Sequence, residues 1–280
     1  MIRDRGRTCR APSARPGSGR DYNPLVPAYF DTHCHLQDPL LAPVLPQVLE
    51  RARAAGVTHL VCCATREEDW EQVLALARDH PQARPMAGLH PWYVYGAAPG
   101  WLERLERLLR AHPAGLGECG LDFRPEQPER ALQEQAFAAQ VRLAIALDRP
   151  LSIHCVRAWE GLVTILEATG VPRAGAVVHA YSGSRELVPD LVRLGLHLSF
   201  AASAANPAAK RAHGALAVVP DGRLLFETDA PALAPPGWEG PNEPAAIVRI
   251  AETAAQVRGD PRVAERAYAN ARALFGDGAP

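Results

Sequence analysis

Short apolar runs alternate with longer segments of helical periodicity from residue 28 onward. Short apolar runs are typical of buried strands, whereas apolar positions that recur every three or four residues indicate amphipathic helices. Eight runs have strand character: AYFDTHCHL, VTHLVCCA, RPMAGLH, AGLGECGLD, PLSIHCV, AGAVVHAYSG, LHLSFAAS and RLLFETDAP. A helical segment follows each of them, and the weakest is the seventh, NPAAKRAHGALAVV.

The eight strand–helix units predict an α/β fold, a TIM (β/α)8 barrel built as a single domain. Two helical segments, NEPAAIVRIAETAAQVRG and DPRVAERAYANARALFG, follow the last strand, so we expect an extra C-terminal helix. A doubly wound open sheet is the alternative. No glycine-rich phosphate loop follows the first strand, which disfavours that alternative.

The first 27 residues differ in composition from the rest of the chain. They are rich in Arg, Pro, Gly and Ser and show no apolar periodicity. They also lack the apolar core of a signal peptide. We therefore expect a disordered Arg/Pro/Gly-rich leader at residues 1–27 and the barrel domain at residues 28–280.

Charge and cysteine usage narrow the class of protein. The formal net charge is −1, which argues against a generalised nucleic-acid binder but leaves a local basic groove open. No apolar run approaches the ~20 residues that span a bilayer. The six cysteines have neither zinc-finger nor secreted-disulfide spacing,. We expect a cytoplasmic monomer that does not contact a membrane.

Strongly polar side chains stand at the ends of the predicted strands, where TIM barrels place their catalytic groups. His33 and His35 lie two residues apart on the first strand, so their side chains face the same side. The other strand ends carry His90, Glu118, Asp122, His154, His179 and Asp229. Gathered at one mouth, these groups indicate a metal site rather than separate core histidines.

Four of these imidazoles and two of these carboxylates form the predicted ligand set, which is more than one metal ion needs. A structural zinc takes about four ligands, whereas six indicate two divalent cations ~3.5–4 Å apart that share a carboxylate. The only lysine, Lys210, follows the seventh strand and is badly placed to bridge them. Glu118 is the better bridge. Zinc, manganese and magnesium all remain compatible with these ligands.

The polar strand ends belong to motifs that resemble a known family. The motifs are DTHCHL, GLHPW, GECGLDF, SIHCV, VVHAYSG, FETDAP and NEP. In this order and spacing they resemble the TatD family of metal-dependent deoxyribonucleases, within the amidohydrolase superfamily. The resemblance covers residues 29 to 276, nearly the whole chain apart from the leader.

The resemblance implies two metal groups that share one carboxylate. The first group is His33, His35 and Asp229, the second is His154 and His179, and the shared carboxylate is Glu118. The implied catalytic residues are Glu118, Asp229 and His90. Asp229 is expected to accept the proton of the attacking water, and His90 to contact the substrate phosphate.

Further side chains at the strand ends are expected to contact substrate. The full set is His90, Trp92, Asp122, Tyr181 and Arg157. Trp92 and Tyr181 are suited to stacking on a base. Two arginines that are frequent in the family are missing here, because Val156 and Pro241 occupy their positions.

The resemblance implies a phosphodiesterase that acts on DNA ends or another small phosphodiester, in the manner of a 3′-5′ exonuclease. A metal-dependent ester or amide hydrolase, such as a D-aminoacyl-tRNA deacylase, is the alternative, and the missing arginines favour it slightly. The third hypothesis is an inactive interaction module. The complete ligand set argues against it, because a binding scaffold needs none of those six residues.

Overall fold

Eight parallel strands in chain order form the wall of a barrel in the computed structural model, which describes residues 28–276. The strands are β1 (Tyr29–Cys34), β2 (Val57–Cys63), β3 (Ala83–Ala87), β4 (Gly115–Asp122), β5 (Leu151–Val156), β6 (Ala176–Val178), β7 (Leu196–Phe200) and β8 (Leu224–Phe226). Each coincides with one predicted apolar run. The predicted TIM (β/α)8 barrel is therefore confirmed.

Helices cover the outside of this barrel. They are α1 (Leu45–Ala54), α2 (Glu67–Asp79), α3 (Trp101–Ala111), α4 (Arg130–Leu147), α5 (Trp159–Thr169), α6 (Val188–Arg193), α7 (Ala202–Ala205), α8 (Lys210–Leu216), α9 (Ile247–Arg258) and α10 (Val263–Phe275). Among the described residues, no helix combines the length and apolar character needed to cross a bilayer.

The seventh helical unit is shorter than its predicted segment and is divided in two. α7 ends at Ala205, and α8 begins only at Lys210. Pro207 disfavours helical backbone at the residue before it. That residue, Asn206, instead accepts a hydrogen bond from the main-chain N–H of Ala208 at 2.9 Å. This local turn explains why a single helix does not form here.

The barrel closes between β1 and β8 through hydrogen bonds of both side chains and main chain. Thr32 Oγ1 donates a hydrogen bond to the carbonyl of Phe226 at 3.0 Å. Asp31 accepts hydrogen bonds from the hydroxyl of Thr228 at 2.5 Å and from its main-chain N–H at 2.9 Å. All these groups are buried. We call Asp31, Thr32 and Thr228 the seam residues.

The extra helix α10 seals the end of the barrel opposite the mouth. Ala271 and Leu274 pack with Phe30, Val61 and Leu225, which point into the barrel interior. These side chains are buried, and such apolar burial is the main favourable term in folding. In the described part of the chain, α10 therefore covers the N-terminal end of the barrel, and the mouth lies at the C-terminal ends of the strands.

The predicted leader, residues 1–27, lies outside the described residues. We propose that it is dispensable for folding, since the main-chain N–H of Tyr29 already donates to Gly56 of the barrel at 2.9 Å. Deleting residues 1–27 is expected to change Tm by less than about 2 °C, because peripheral changes typically alter stability by about 0.5 kcal/mol or less. Thermal denaturation of both chains measures this. A drop of many degrees would place the leader in the fold.

Candidate metal centre

Glu118 stands at the centre of a cluster at the barrel mouth. Its Oε2 lies 3.2 Å from His33 Nε2 and 3.5 Å from His35 Nε2. Its Oε1 lies 3.0 Å from His154 Nδ1 and 2.8 Å from His179 Nε2. The two carboxylate oxygens thus face two different pairs of imidazoles.

Asp229 completes the pair formed by His33 and His35. Its Oδ1 lies 3.4 Å from His35 Nε2 and 3.8 Å from His33 Nε2. Its main chain adopts a left-handed conformation, with φ of 57°, and its N–H donates to the carbonyl of His33 at 2.9 Å. The structure therefore brings all six predicted ligands together, from β1, β4 and β5 and from the segments directly after β1, β6 and β8.

A close approach between β4 and β5 brings Glu118 to His154. Gly120 pairs with His154 across the two strands. A Cβ atom at position 120 would lie 2.0 Å from the carbonyl oxygen of His154, and φ at this glycine is 142°. Only glycine tolerates both conditions. The glycine of the GECGLD motif thus has a structural role in assembling the cluster.

The donor atoms suit divalent cations. Three sets of ligand atoms each lie within 4.8 Å of one another: His33, His35 and Glu118; His33, His179 and Asp229; and His90, Glu118 and His154. Imidazole nitrogens and carboxylate oxygens are ligands that zinc and manganese accept, and carboxylates also suit magnesium. The residues present therefore fit a site for such ions.

The second nitrogen of each imidazole in the first group is held by a neighbour. His35 Nδ1 donates to the carbonyl of Cys63 at 2.8 Å. His33 Nδ1 lies 3.1 Å from the Ser152 hydroxyl and 3.4 Å from Cys63 Sγ. Such contacts set the tautomer and orientation of a ligating ring. The Nε2 atoms are consequently directed at Glu118.

Carboxylates hold the imidazoles of the second group. His154 Nε2 lies 3.3 Å from Asp122 Oδ2, and His179 Nδ1 lies 3.3 Å from Glu227 Oε1. Glu227 was not singled out from the sequence. It stands two residues before Asp229, in the segment directly after β8. Its position beside Asp229 in the FETDAP motif is the signal that the sequence offers for it.

Charge in the cluster is centred on Glu118. Burial raises the pKa of its carboxyl, but the imidazoles of His90, His179 and His33 outweigh burial and hold that pKa well below its usual range. Burial lowers the pKa of His90 to about 4. At neutral pH, Glu118 is therefore ionised and His90 is neutral.

His90 lies closer to the cluster than a residue that contacts only substrate needs to. Its Nδ1 accepts a hydrogen bond from the main-chain N–H of Trp92 at 3.2 Å. Its Nε2 lies 3.2 Å from Glu118 Oε1. With Nδ1 acting as acceptor, neutral His90 carries its proton on Nε2 and donates it to Glu118.

Asp122 does not reach the opening, contrary to the prediction that it contacts substrate. It is fully buried and accepts hydrogen bonds from Trp92 Nε1 at 2.7 Å and Arg124 Nη2 at 2.6 Å. Burial raises the pKa of this carboxyl, but hydrogen bonds from His154 and Arg124 outweigh it and lower the pKa far below its usual range. Asp122 is placed to orient His154.

Tyr181 is also placed away from the opening, although it was predicted to stack on a base. Its side chain is fully buried, and its hydroxyl donates to the carbonyl of Ser184 at 2.7 Å. Its ring packs against Trp159 and Phe200. Among the predicted substrate contacts, Trp92 and Arg157 are exposed, in the segments that follow β3 and β5.

The buried cysteines are not disposed as ligands. Cys34, Cys119 and Cys155 belong to the core between strands and helices. Cys63 faces the barrel interior, but burial raises the pKa of its thiol well above the usual value. A protonated thiol is a poor metal ligand. The cluster therefore consists of imidazoles and carboxylates alone.

A TIM barrel with such a cluster at its C-terminal mouth has the architecture of a metal-dependent hydrolase. Residues 30–276 match the family model described as TatD related DNase. The chain belongs to this family and is a TatD-type metal-dependent hydrolase.

Two relatives and one solved structure show the extent of the similarity. The chain is 32% identical over 257 residues to the uncharacterized metal-dependent hydrolase YjjV of Escherichia coli, across 90% of this chain and 99% of that protein. It is 32% identical over 261 residues to the 3′-5′ ssDNA/RNA exonuclease TatD of Enterobacter lignolyticus, across 88% and 98%. The crystal structure of Escherichia coli YjjV gives a TM-score of 0.85 at 32% identity, over 89% of this chain and 98% of that one.

Proposed function

We propose that this TatD-type hydrolase cleaves phosphodiester bonds at the ends of single-stranded nucleic acid, with two divalent cations at the barrel mouth. The arrangement of Glu118 carries the proposal, because its two oxygens face separate groups of imidazoles. A relative at 32% identity is named as a 3′-5′ ssDNA/RNA exonuclease, which supports nucleic acid as the substrate class.

In this proposal His33, His35 and Asp229 hold one cation, His154 and His179 hold the other, and Glu118 is shared. The ions would supply an activated water and Lewis-acid stabilisation of the phosphoryl group. The imidazoles keep their Nε2 or Nδ1 atoms directed at the centre through the neighbours already described. No rearrangement of the chain is needed to present these ligand atoms.

Asp229 is the proposed proton acceptor. Burial raises the pKa of its carboxyl, but the hydrogen bond that it accepts from His35 and the charges of nearby imidazoles lower this pKa overall. The carboxylate is therefore ionised near neutral pH and can accept a proton. Its side chain is 13% exposed, so it also reaches the opening through which substrate arrives.

His90 and Trp92 are proposed to hold the substrate at the opposite side of the cluster. The neutral imidazole of His90 offers its Nε2–H, which can turn from Glu118 to a phosphate oxygen. Trp92 is 43% exposed, and its ring contacts His90 edge-on with centroids 4.7 Å apart. Together they place a phosphodiester against the metal groups and a base against the indole.

A second candidate function keeps the cations and changes the bond, as in hydrolysis of a D-aminoacyl ester on tRNA. The observation that favours it is the pair of missing rim arginines at Val156 and Pro241. A panel of single-stranded DNA ends, single-stranded RNA, D-aminoacyl-tRNA and generic phosphodiesters separates the two. We expect the highest kcat/KM on single-stranded DNA or RNA ends. Preference for the aminoacyl ester would instead establish the second candidate.

Metal content tests the dinuclear proposal independently of substrate. The purified protein, reconstituted with zinc, manganese or magnesium, is expected to hold about two ions per chain. Elemental analysis should show about one ion after His33 and His35 are both changed to alanine, and about one after His154 and His179 are changed. His112→Ala, outside the barrel mouth, is the matched control and should keep both. A wild-type chain without bound metal contradicts the proposal.

A further inference from the structure

A cavity of about 580 Å³ opens beside the metal centre. This size falls within the range of about 300–1,000 Å³ that is usual for small-molecule sites. Aromatic side chains after β3 and at the start of α3 dominate its walls: Trp92, Tyr93, Tyr95 and Trp101. We call this cavity the aromatic groove.

Trp92 forms the wall between the aromatic groove and the metal centre. One edge of its ring contacts His90, and its centroid is 6.2 Å from that of His154. Its indole N–H is held by Asp122 at 2.7 Å. The ring is thereby fixed in place while 43% of the residue stays exposed. A ligand in the groove would touch the same indole that borders the reacting phosphate.

Tyr95 is the most exposed large apolar side chain among the described residues, at 81%. It lies three residues after Trp92 on the same loop, and it lines the same cavity. Aromatic rings bury a large area when they are covered, and they stack on flat partners. An exposed ring beside an active site is therefore suited to contact with a planar ligand.

Each of the three glutamates that line the aromatic groove has an arginine nearby. Glu67 is paired with Arg104 through two hydrogen bonds. Glu68 lies 4.0 Å from Arg66, and Glu126 lies 3.8 Å from Arg124. These arginines offset the repulsion that the glutamates would exert on a nucleotide.

Guanidinium groups flank the rings of the groove. Arg66 lies over the Tyr93 ring, with its Cζ 5.3 Å from the centroid. Arg124 lies over the Trp92 ring, also at 5.3 Å. Aromatic rings with guanidinium groups beside them match an uncharged heterocycle that carries a phosphate.

We propose that the aromatic groove binds a nucleobase adjacent to the scissile phosphodiester by stacking, with Tyr95 as a principal contact. The enzyme would then recognise a short single strand rather than an isolated phosphodiester, since paired bases do not present their faces. This inference rests on the proposed nuclease function. It adds the specificity determinant that restricts the substrate to unpaired ends.

The test pairs a protein variant with a substrate variant. Tyr95→Ala is compared with Tyr95→Trp, which keeps an aromatic ring, and with Leu40→Ala as control. Leu40 is 60% exposed on the segment after β1 and does not line the groove. The substrates are a short oligothymidylate and two versions in which one base next to the scissile bond is replaced by an abasic residue.

Loss of one stacked base typically weakens binding by about 5–150-fold. Tyr95→Ala is expected to raise KM for the intact oligothymidylate within that range, with kcat nearly unchanged. On one of the two abasic substrates, the KM of the same variant should differ from that of wild type by less than about twofold, because the stacking contact is already absent. Tyr95→Trp and Leu40→Ala should behave as wild type. Equal losses on all substrates, or none on any, would overturn the proposal.

A binding measurement separates this proposal from the nuclease function. If the wild-type enzyme cleaves no oligonucleotide, the nuclease proposal fails, and the groove is then judged by fluorescence anisotropy of a labelled phosphorothioate oligothymidylate on the metal-loaded protein. The groove proposal is supported if Tyr95→Ala binds the intact oligonucleotide more weakly than wild type does, and if this difference disappears on an abasic version. Indistinguishable binding to wild type and Tyr95→Ala refutes it.

Discussion

Replacing Glu118 by alanine is expected to lower kcat/KM by about 10³-fold or more. Metal-ion catalysis supplies several kcal/mol to the transition state, and each 1.36 kcal/mol is a factor of ten in rate. The two oxygens of Glu118 face both groups of imidazoles, so the variant loses a ligand in each. His90→Ala should cost less, because His90 contacts only one carboxylate oxygen of the cluster.

Steady-state kinetics and metal content measured together test this expectation. Glu160→Ala, an exposed carboxylate on α5, is the matched control and should retain full activity and both ions. Glu118→Gln keeps the shape of the side chain and removes its charge, so it separates packing from ligation. Near-normal turnover in Glu118→Ala would remove Glu118 from the shared position.

Asp229→Asn is expected to lower kcat by about 10²–10⁴-fold, the usual cost of losing a general base. The amide keeps one oxygen at the position of Oδ1, which faces His35 at 3.4 Å, but it cannot accept a proton near pH 7. The expected result is therefore a slow enzyme that still holds most of its metal. Asp190→Asn, on the exposed surface of α6, is the control.

Turnover and metal content of Asp229→Asn are measured on the same sample. Loss of both would show that Asp229 acts chiefly as a ligand. If the variant keeps both ions and turns over at nearly the wild-type rate, another group takes the proton.

The barrel was predictable because its strands are short, apolar and regularly spaced. Residues at the ends of such strands must meet at one mouth, so six ligand candidates could be assembled without knowing any distance. His33 and His35 illustrate the local part of this reasoning, because alternation alone puts both on one side. That these two histidines lie close to His154 and Asp229 follows only from the global fold.

Side chains beyond the strands were harder to place, because loop backbone decides where they point. Tyr181 and Trp92 have the same pattern, an aromatic residue shortly after a histidine. Trp92 lies in a 3₁₀ turn that leaves it at the surface. Ala180, with φ of 42°, precedes Tyr181, whose ring enters the core. No periodicity distinguishes the two cases.

Asp122 shows a second limit of prediction from the sequence. An acidic residue at a strand end looks like a group that contacts substrate. Here distant partners enclose it, since its main-chain N–H donates to Gln133 on α4 at 2.7 Å and Arg124 and Trp92 bind its carboxylate. Enclosure depends on contacts between elements, which a linear pattern does not contain.

The seam residues have an evolutionary consequence. The motifs DTHCHL and FETDAP contain both the hydrogen bonds that shut the barrel and the ligand candidates His33, His35 and Asp229. Selection on folding and selection on catalysis therefore act on different residues that are neighbours in the sequence. A descendant that had lost its chemistry would be free to drift at the histidines, yet would retain Asp31, Thr32 and Thr228. A homologue that keeps the seam residues but lacks the histidines would therefore be an inactive descendant, whereas an active enzyme would keep both sets.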